Sequence, residues 1–154
     1  MIKIDSNREF LLINDSFSKI KTINLKDIGF NNIGNSNLYL YESNEYKILN
    51  KRIKPILVFL INIEEDNIFV KLHSISIKNL PNIFRILKVI IELKIFPEDN
   101  YCKASRYISL RYISKNKLLT YVSKEISNKL LNNLIEKISK RFDNKLIKKV
   151  LKAI

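Results

Sequence analysis

Between positions 124 and 143 the apolar residues recur at intervals of three and four, which places their side chains on one face of an α-helix. Asn and Lys residues fill most of the opposite face. Ser123 is a suitable N-cap, and Glu125 lies in the first turn, where the helix dipole favours an anion. We therefore predict a main helix over about residues 124–144, with the apolar stripe Ile126, Leu130, Leu131, Leu134, Ile135, Ile138 and Phe142.

From position 53 to 113 the chain alternates with the two-residue period of β-strands. Residues 86–96 and 101–113 have one apolar face each, whereas residues 55–63 are apolar on both faces, which predicts a strand covered on two sides. Another strand is expected at 68–77, with turns at 64–67, 79–82 and 97–100. A helix with one apolar stripe needs a sheet to receive it. The pattern thus predicts one α+β domain over residues 1–154, a curved antiparallel β-sheet gripping one long C-terminal helix.

The pattern is weaker in the N-terminal third and just before the main helix. There we predict a strand at 9–13, a weak alternation at 18–23, a loop at 31–37, a hairpin of strands 38–41 and 46–49 around residues 42–44, and a separate turn at 117–122. The loop follows from its Asn and Gly content, and the turn from leucines that leave the main stripe.

A formal net charge of +13 favours an anionic partner, either nucleic acid or a lipid surface. The composition offers a second cause. Ile, Lys and Asn occur 27, 22 and 19 times among 154 residues, whereas Gly and Pro occur only 2 and 3 times. A genome rich in A and T produces this bias, and it would raise the lysine content without selection for binding.

Several classes of protein are disfavoured by what the sequence lacks. The single Cys102 excludes an internal disulfide and fits a reducing compartment. No Cys/His cluster suits zinc, and we expect no metal or cofactor. The N-terminus resembles neither a signal nor a transit peptide, and the longest apolar run, residues 56–61, is too short to span a membrane. A protein of this kind working in an organelle would be encoded there.

The main helix also carries a sequence resemblance. Its amino-acid sequence resembles a segment, G-N-x-L-L-x-x-V-L-x-x-I-x-x-R-L, that is typical of the last helix in a cyanobacterial and plastid branch of the helix-grip (START or polyketide-cyclase-like) superfamily. The matching residues are Ser127, Asn128, Leu130, Leu131, Leu134, Ile135, Ile138, Arg141 and Phe142. Ser127 replaces the Gly, residues 149–153 lack the D-Y-x-x-W ending, and residues 72–77 resemble the branch's L-x-S strand. The resemblance covers about residues 53–142. It implies a helix-grip fold, a cavity for an apolar ligand such as a lipid or pigment, and a location in the plastid stroma or at a plastid membrane, but no catalytic residue.

Four residues are candidates for ligand binding: Arg106, His73, Cys102 and Tyr112. Arg106 shares a predicted core-facing row with Cys102 and Tyr112, where an arginine is costly unless paired. It could meet the acidic head of a ligand, pair with a structural carboxylate, or reach solvent at a sheet edge. Cys102 is most simply a small buried side chain. His73 is the only histidine, and no acid is assigned to it.

The residues after the main helix form a second apolar stripe, which points almost opposite to the first. One interpretation is packing against the N-terminal segment. The other is an interfacial segment that binds an anionic membrane, because lysines back the stripe. The residues of this candidate surface, within a tail at 145–154, are Ile147, Leu151, Lys145, Lys148, Lys149 and Lys152.

The sequence contains no nucleophile motif, catalytic carboxylate pair or phosphate loop. We therefore predict a non-enzymatic protein that binds an apolar ligand or has an accessory or assembly role. The alternatives are a peripheral membrane factor and a basic RNA- or ribosome-associated protein. Tyr101, Tyr107 and Tyr112, interleaved with Lys103, Arg106 and Arg111, would suit stacking on single strands, although no RNP-like motif accompanies them.

Overall fold

The computed structural model describes residues 2–22, 30–32, 39–42, 45–48, 51–80, 84–114 and 120–150. Its strands are β1 (Ile2–Ile13), β2 (Phe30–Asn32), β3 (Tyr39–Glu42), β4 (Tyr46–Ile48), β5 (Lys51–Ile63), β6 (Ile68–Lys78), β7 (Phe84–Pro97) and β8 (Tyr101–Ser114). Its helices are α1 (Ser16–Thr22) and α2 (Thr120–Phe142), and α2 continues directly into a π-helix (Asp143–Val150).

The strands form one curved antiparallel sheet in the order β1-β8-β7-β6-β5-β3-β2, with β4 also paired to β5. The predicted strand regions from position 53 onward are confirmed, as are the long C-terminal helix and the α+β class. The hairpin predicted between β3 and β4 is wrong. Both strands pair with β5, at residues 56–59 and 51–53, so they follow each other along one strand instead of pairing together.

One face of the sheet forms the core, and α2 packs against it. We call this the inner face. The predicted alternation in β7 and β8 is confirmed, because Leu87, Val89, Ile91, Leu93 and Ile95 are all buried, as are Cys102, Ala104, Ile108, Leu110 and Tyr112. From the helix, the stripe residues Leu131, Leu134, Ile135 and Ile138 are buried in the same cluster. This burial of apolar surface is the main source of stability for the packing of α2 on the sheet.

The prediction that β5 is covered on both faces is wrong for its described side chains. Ile53, Leu57 and Phe59 are buried, whereas on the opposite face Ile56 and Val58 are half-buried and Leu60 is exposed. The pairing of β5 with β6 also contains a register shift, between Ile56 and Leu57. The sheet therefore buries one face and leaves the other, which we call the outer face, in contact with solvent, as antiparallel sheets often do.

The weak alternation at 18–23 does not form a strand, because residues 16–22 belong to helix α1. Ile20 is buried, and an ion pair of 3.7 Å joins Lys19 to Asp15 at the i,i+4 spacing of a helix. The predicted loop at 31–37 is partly wrong, because Asn31 and Asn32 belong to β2, while 33–37 lie outside the described residues. Residues 120–122 belong to α2 rather than to a turn, and 117–119 are outside the described residues.

The helix changes its winding at Asp143. A π-helix closes i→i+5 hydrogen bonds, so each residue turns through a smaller angle than the roughly 100° of an α-helix. In an α-helix Ile147 would lie about half a turn from Ile138. In the structure Ile147 is nevertheless part of the core cluster, and its exposed fraction is 0%.

Prediction for the packing of α2. Leu134→Ala removes a buried side chain from the centre of the stripe and should lower the free energy of unfolding by about 2–5 kcal/mol, because a cavity remains. Asn133→Ala, on the exposed face of the same turn, is the matched control and should change it little. Urea denaturation followed by circular dichroism measures both. Equal, small effects would show that the stripe does not face the sheet.

Candidate functional site

Two arginines lie directly opposite each other on the inner face of the sheet. Phe10 and Leu12 of β1 are buried in the core, so the two-residue period places Arg8 on their side. The guanidinium of Arg8 lies 4.7 Å from the centre of the Phe10 ring. In the antiparallel register Arg8 pairs with Arg106 of β8. Like charges in directly opposite positions are destabilising, so this pair needs a counterion.

Asp143, the first residue of the π-helix, supplies that counterion. Its Oδ1 lies 2.7 Å from Arg106 Nε, and its Oδ2 accepts a hydrogen bond of 3.2 Å from Arg106 Nη2. Arg8 Nη1 lies 3.6 Å from the same Oδ2. Arg106 also donates from Nη1 to the backbone carbonyl and the hydroxyl of Ser6, at 3.3 and 3.2 Å. One carboxylate therefore joins the end of the helix to both strands.

Both members of the central ion pair are almost fully buried. Arg106 is 3% exposed and Asp143 is 4% exposed. Burial raises the pKa of the Asp143 carboxyl above its ordinary value, while Arg106 and Arg8 oppose that rise. Burial also lowers the pKa of Arg106, and Asp143 opposes that change. Desolvation thus works against both charges, and the Asp143 carboxylate depends on its two arginine neighbours to remain ionised.

A half-open cavity of about 600 Å³ lies beside this ion pair, between α2 and strands β1 and β8. Its lining residues come from β1, which lies at one end of the strand order, from β8, and from α2 and the π-helix. Among the residues that the structure describes, Ile135 is the one apolar lining residue. The polar and charged lining residues are Asp5, Ser6, Arg8, Arg106, Asn132, Glu136, Ser139, Lys140, Asp143, Asn144 and Lys148.

Cys102 and Tyr112 share the inner face of β8 with Arg106, as predicted, but they contact structural partners. The Cys102 thiol donates to the backbone carbonyl of Asn14 at 3.5 Å. The Tyr112 hydroxyl donates to the Asn128 side chain of α2, and Phe84 packs edge-to-face against its ring at 5.7 Å. Burial raises the pKa of the Tyr112 hydroxyl above its ordinary value. Neither residue lines the described cavity.

His73 lies on the other side of the sheet. Its neighbour Leu72 is buried in the core, so His73 points to the outer face, where it is half-buried. The structure therefore does not bring His73 together with the other three candidates. The same alternation divides the residues proposed for stacking on RNA. Tyr101, Lys103, Tyr107 and Arg111 lie on the outer face, whereas Arg106 and Tyr112 lie on the inner face.

The basic tail is only partly described. Lys145 and Lys148 are exposed. Ile147 is fully buried, which corrects its place in the predicted surface, because a side chain in the core cannot enter a membrane interface. For Lys149 only the backbone is described, and Leu151 and Lys152 lie outside the described residues. Within the described chain, no helix combines the length and apolar character needed to cross a membrane.

Sequence reasoning missed Asp143, Arg8 and Ser139 as parts of the site. The signal for Asp143 was present, because a core-facing arginine requires a buried acid. α2 ends just before this acid, close to the position where the sequence predicted that the apolar stripe of the main helix gives way to the second stripe. Arg8 was missed because only residues 9–13 were predicted as strand, which left its face unassigned. Nothing in the local pattern distinguishes Ser139 from other helical serines.

No protein-family model matches this chain, and a sequence comparison with curated proteins finds no match. Solved structures are similar over nearly its whole length. TTHA0849 from Thermus thermophilus has a TM-score of 0.55 and 10% identity, over 95% of this chain and 97% of that one. The Zhui aromatase/cyclase from Streptomyces sp. R1128 has a TM-score of 0.52 and 8% identity, over 96% of this chain and 94% of that one.

The chain has the helix-grip fold. This confirms the architecture that the resemblance implied. Because only about a tenth of the residues are identical, the shared property is the fold itself. The cyanobacterial and plastid branch stays a prediction from the sequence.

Prediction for the ion pair. Asp143→Leu leaves two opposed arginines without their counterion and should cost about 3–5 kcal/mol in the free energy of unfolding. Arg106→Leu should cost less, because Arg8 still pairs with Asp143. The double variant should recover most of the stability, since an apolar pair replaces both buried charges.

A double-mutant cycle by urea denaturation tests this expectation. Additive losses in the double variant would mean that Arg106 and Asp143 contribute independently, and the shared-carboxylate account would be wrong.

Proposed function

We propose that this protein is a non-enzymatic binding protein that holds one small molecule in the cleft between α2 and strands β1 and β8. The observation that carries the proposal is the cavity of about 600 Å³ beside the Arg106–Asp143 pair. Ligand pockets in proteins measure roughly 300–1,000 Å³ and often lie between packed elements of secondary structure. The cavity opens to solvent, which gives a ligand a route in.

The lining of the cavity refines the expectation of a purely apolar ligand. Ile135 and the alkyl stems of the surrounding long side chains supply apolar surface. Charged and amide groups supply the rest. This mixture favours an amphipathic molecule over a hydrocarbon alone, and a lipid with a polar head fits it better than an uncharged pigment.

The fold also supports enzymes, since one of its structural neighbours is described as an aromatase/cyclase. A general base or acid must lie within hydrogen-bond reach of a reacting group. Asp143 is committed to two arginines, and the only histidine lies across the sheet. The positions of Asp143 and His73 therefore support the proposal that the protein binds its ligand without catalysing a reaction.

Other expectations from the sequence remain predictions. These are an accessory or assembly role, a plastid location, peripheral attachment to a membrane, and association with RNA or the ribosome. The burial of Ile147 weakens the membrane hypothesis for the tail. For the RNA hypothesis, Arg106 and Tyr112 are buried on the inner face and would not take part, whereas the other four proposed residues share the outer face.

Prediction for the cavity. The fluorescent probe anilinonaphthalene sulfonate is both apolar and anionic, and it should bind the folded protein with a one-to-one stoichiometry. Ser139→Phe places a ring in the cavity and should weaken probe binding at least about tenfold, equivalent to about 1.4 kcal/mol. Fluorescence titration gives the affinity, and thermal unfolding checks that the variant is folded.

Asn133→Phe is the matched control, because it adds the same ring to an exposed position of α2 that does not line the cavity. It should leave probe binding unchanged. Equal binding by wild type and Ser139→Phe would place the probe elsewhere and would contradict the proposal.

A further inference from the structure

The cavity contains positive charge beyond what its acids neutralise. Arg106 and Asp143 neutralise each other as a buried pair. Asp5 lines the cavity, but its carboxylate lies on the outer face of the sheet, where it pairs at 3.4 Å with Lys3 and accepts a hydrogen bond of 3.1 Å from the Tyr107 hydroxyl. Among the remaining lining residues, Arg8, Lys140 and Lys148 are positive, and Glu136 is negative. The described lining therefore has an excess of two positive charges.

Arg8 retains donors that the ion pair does not use. Its Nη1 lies 3.6 Å from Asp143 Oδ2, which is too long for a hydrogen bond, and its side chain is 55% exposed. A guanidinium has five N–H donors arranged in a planar fork that suits the oxygens of a phosphate or carboxylate. The Arg8 guanidinium also packs over the Phe10 ring in a cation–π contact. Arg8 is thus oriented by its surroundings while part of its donor edge remains exposed.

Ser139 supplies an independent observation. It is 8% exposed and lines the cavity, and its Oγ has no hydrogen-bond partner among the residues that the structure describes. A buried hydroxyl without a partner carries a desolvation cost. A ligand oxygen in the cavity would accept its proton and remove that cost.

We propose that the cavity binds the phosphate group of a small phosphorylated molecule, with Arg8, Lys140 and Lys148 neutralising the phosphate and the Ser139 hydroxyl donating to one of its oxygens. A phosphate monoester carries about −1.5 to −2 charges at pH 7, which matches the excess of two. The inference rests on the proposed binding function and specifies the chemistry of the ligand. The phosphate belongs either to a lipid head group or to a soluble compound.

The test is isothermal titration of the whole protein with decyl phosphate, decanol and inorganic phosphate, all below micelle-forming concentrations. Decyl phosphate should bind at least about tenfold more tightly than decanol, because hydrogen bonds to charged groups are stronger than neutral ones. Binding of inorganic phosphate as tight as that of decyl phosphate would identify a soluble ligand. Tighter binding of decyl phosphate would identify a lipid.

The variants Lys140→Gln and Lys148→Gln remove exposed lining charges and should each weaken decyl phosphate about threefold to tenfold, with little effect on decanol. Arg8→Gln should act similarly and remain folded, because it removes the repulsion between Arg8 and Arg106. Ser139→Ala should weaken decyl phosphate only. Lys137→Gln, an exposed position on the same helix outside the cavity lining, is the matched control and should have no effect.

Equal affinities for decyl phosphate and decanol would overturn the phosphate site while leaving the binding function intact. Absence of binding by both would overturn the binding function as well. An effect of Lys137→Gln as large as that of Lys140→Gln would show that diffuse charge attracts the phosphate, and this would also overturn the site.

Discussion

The carboxylate of Asp143 is shared by two arginines that the strand register forces to face each other. Arg106 is buried among the core residues of β8, and the strand register places Arg8 directly opposite it. The C-terminal end of α2 is therefore held where Asp143, the first residue of the π-helix, contacts both arginines. A buried ion pair adds little net stability over an apolar pair of the same shape. It does select one position of the helix along the sheet, because any other position leaves charges buried and unpaired.

The same constraint creates the cavity. The helix end must approach the strands closely enough for Arg106 Nε to contact Asp143 Oδ1, yet the long polar side chains around that contact cannot pack as tightly as leucines. Leu131, Leu134 and Ile138 are buried in the core cluster, whereas Ser139 and Asp143 of the same helical segment line the cavity. The same helix therefore contributes residues both to the core and to the lining of the cavity.

Much of the fold could be predicted from periodicity, because β6, β7, β8 and α2 each bury one regular row of apolar residues. The errors occur where that signal is short or competes with another. In α1 only two turns are formed, and the pairing of β3 and β4 with β5 depends on contacts between segments, which a local pattern does not contain. Of the candidate site, Arg106 was recognised because a charge in an apolar row is conspicuous. Its partner lies 37 positions later, on a π-helix whose winding cannot be inferred from the residues alone. Arg8 becomes part of the site only through the register of β1 with β8. The cavity was expected from the resemblance to helix-grip proteins, whereas its charge required the three-dimensional arrangement.

The pairing of β1 with β8 also has a consequence for how the chain reaches its native state. Ile13 pairs with Tyr101 and Ile2 with Tyr112, so the strands that meet are separated by about 90 to 110 positions. Closing so long a loop costs conformational entropy before any contact repays it, and folding slows as such contacts dominate. During synthesis β1 emerges first and must wait for β8. Until then Phe10 and Leu12 lack the strand that covers them, and exposed apolar surface of this kind promotes aggregation of the nascent chain.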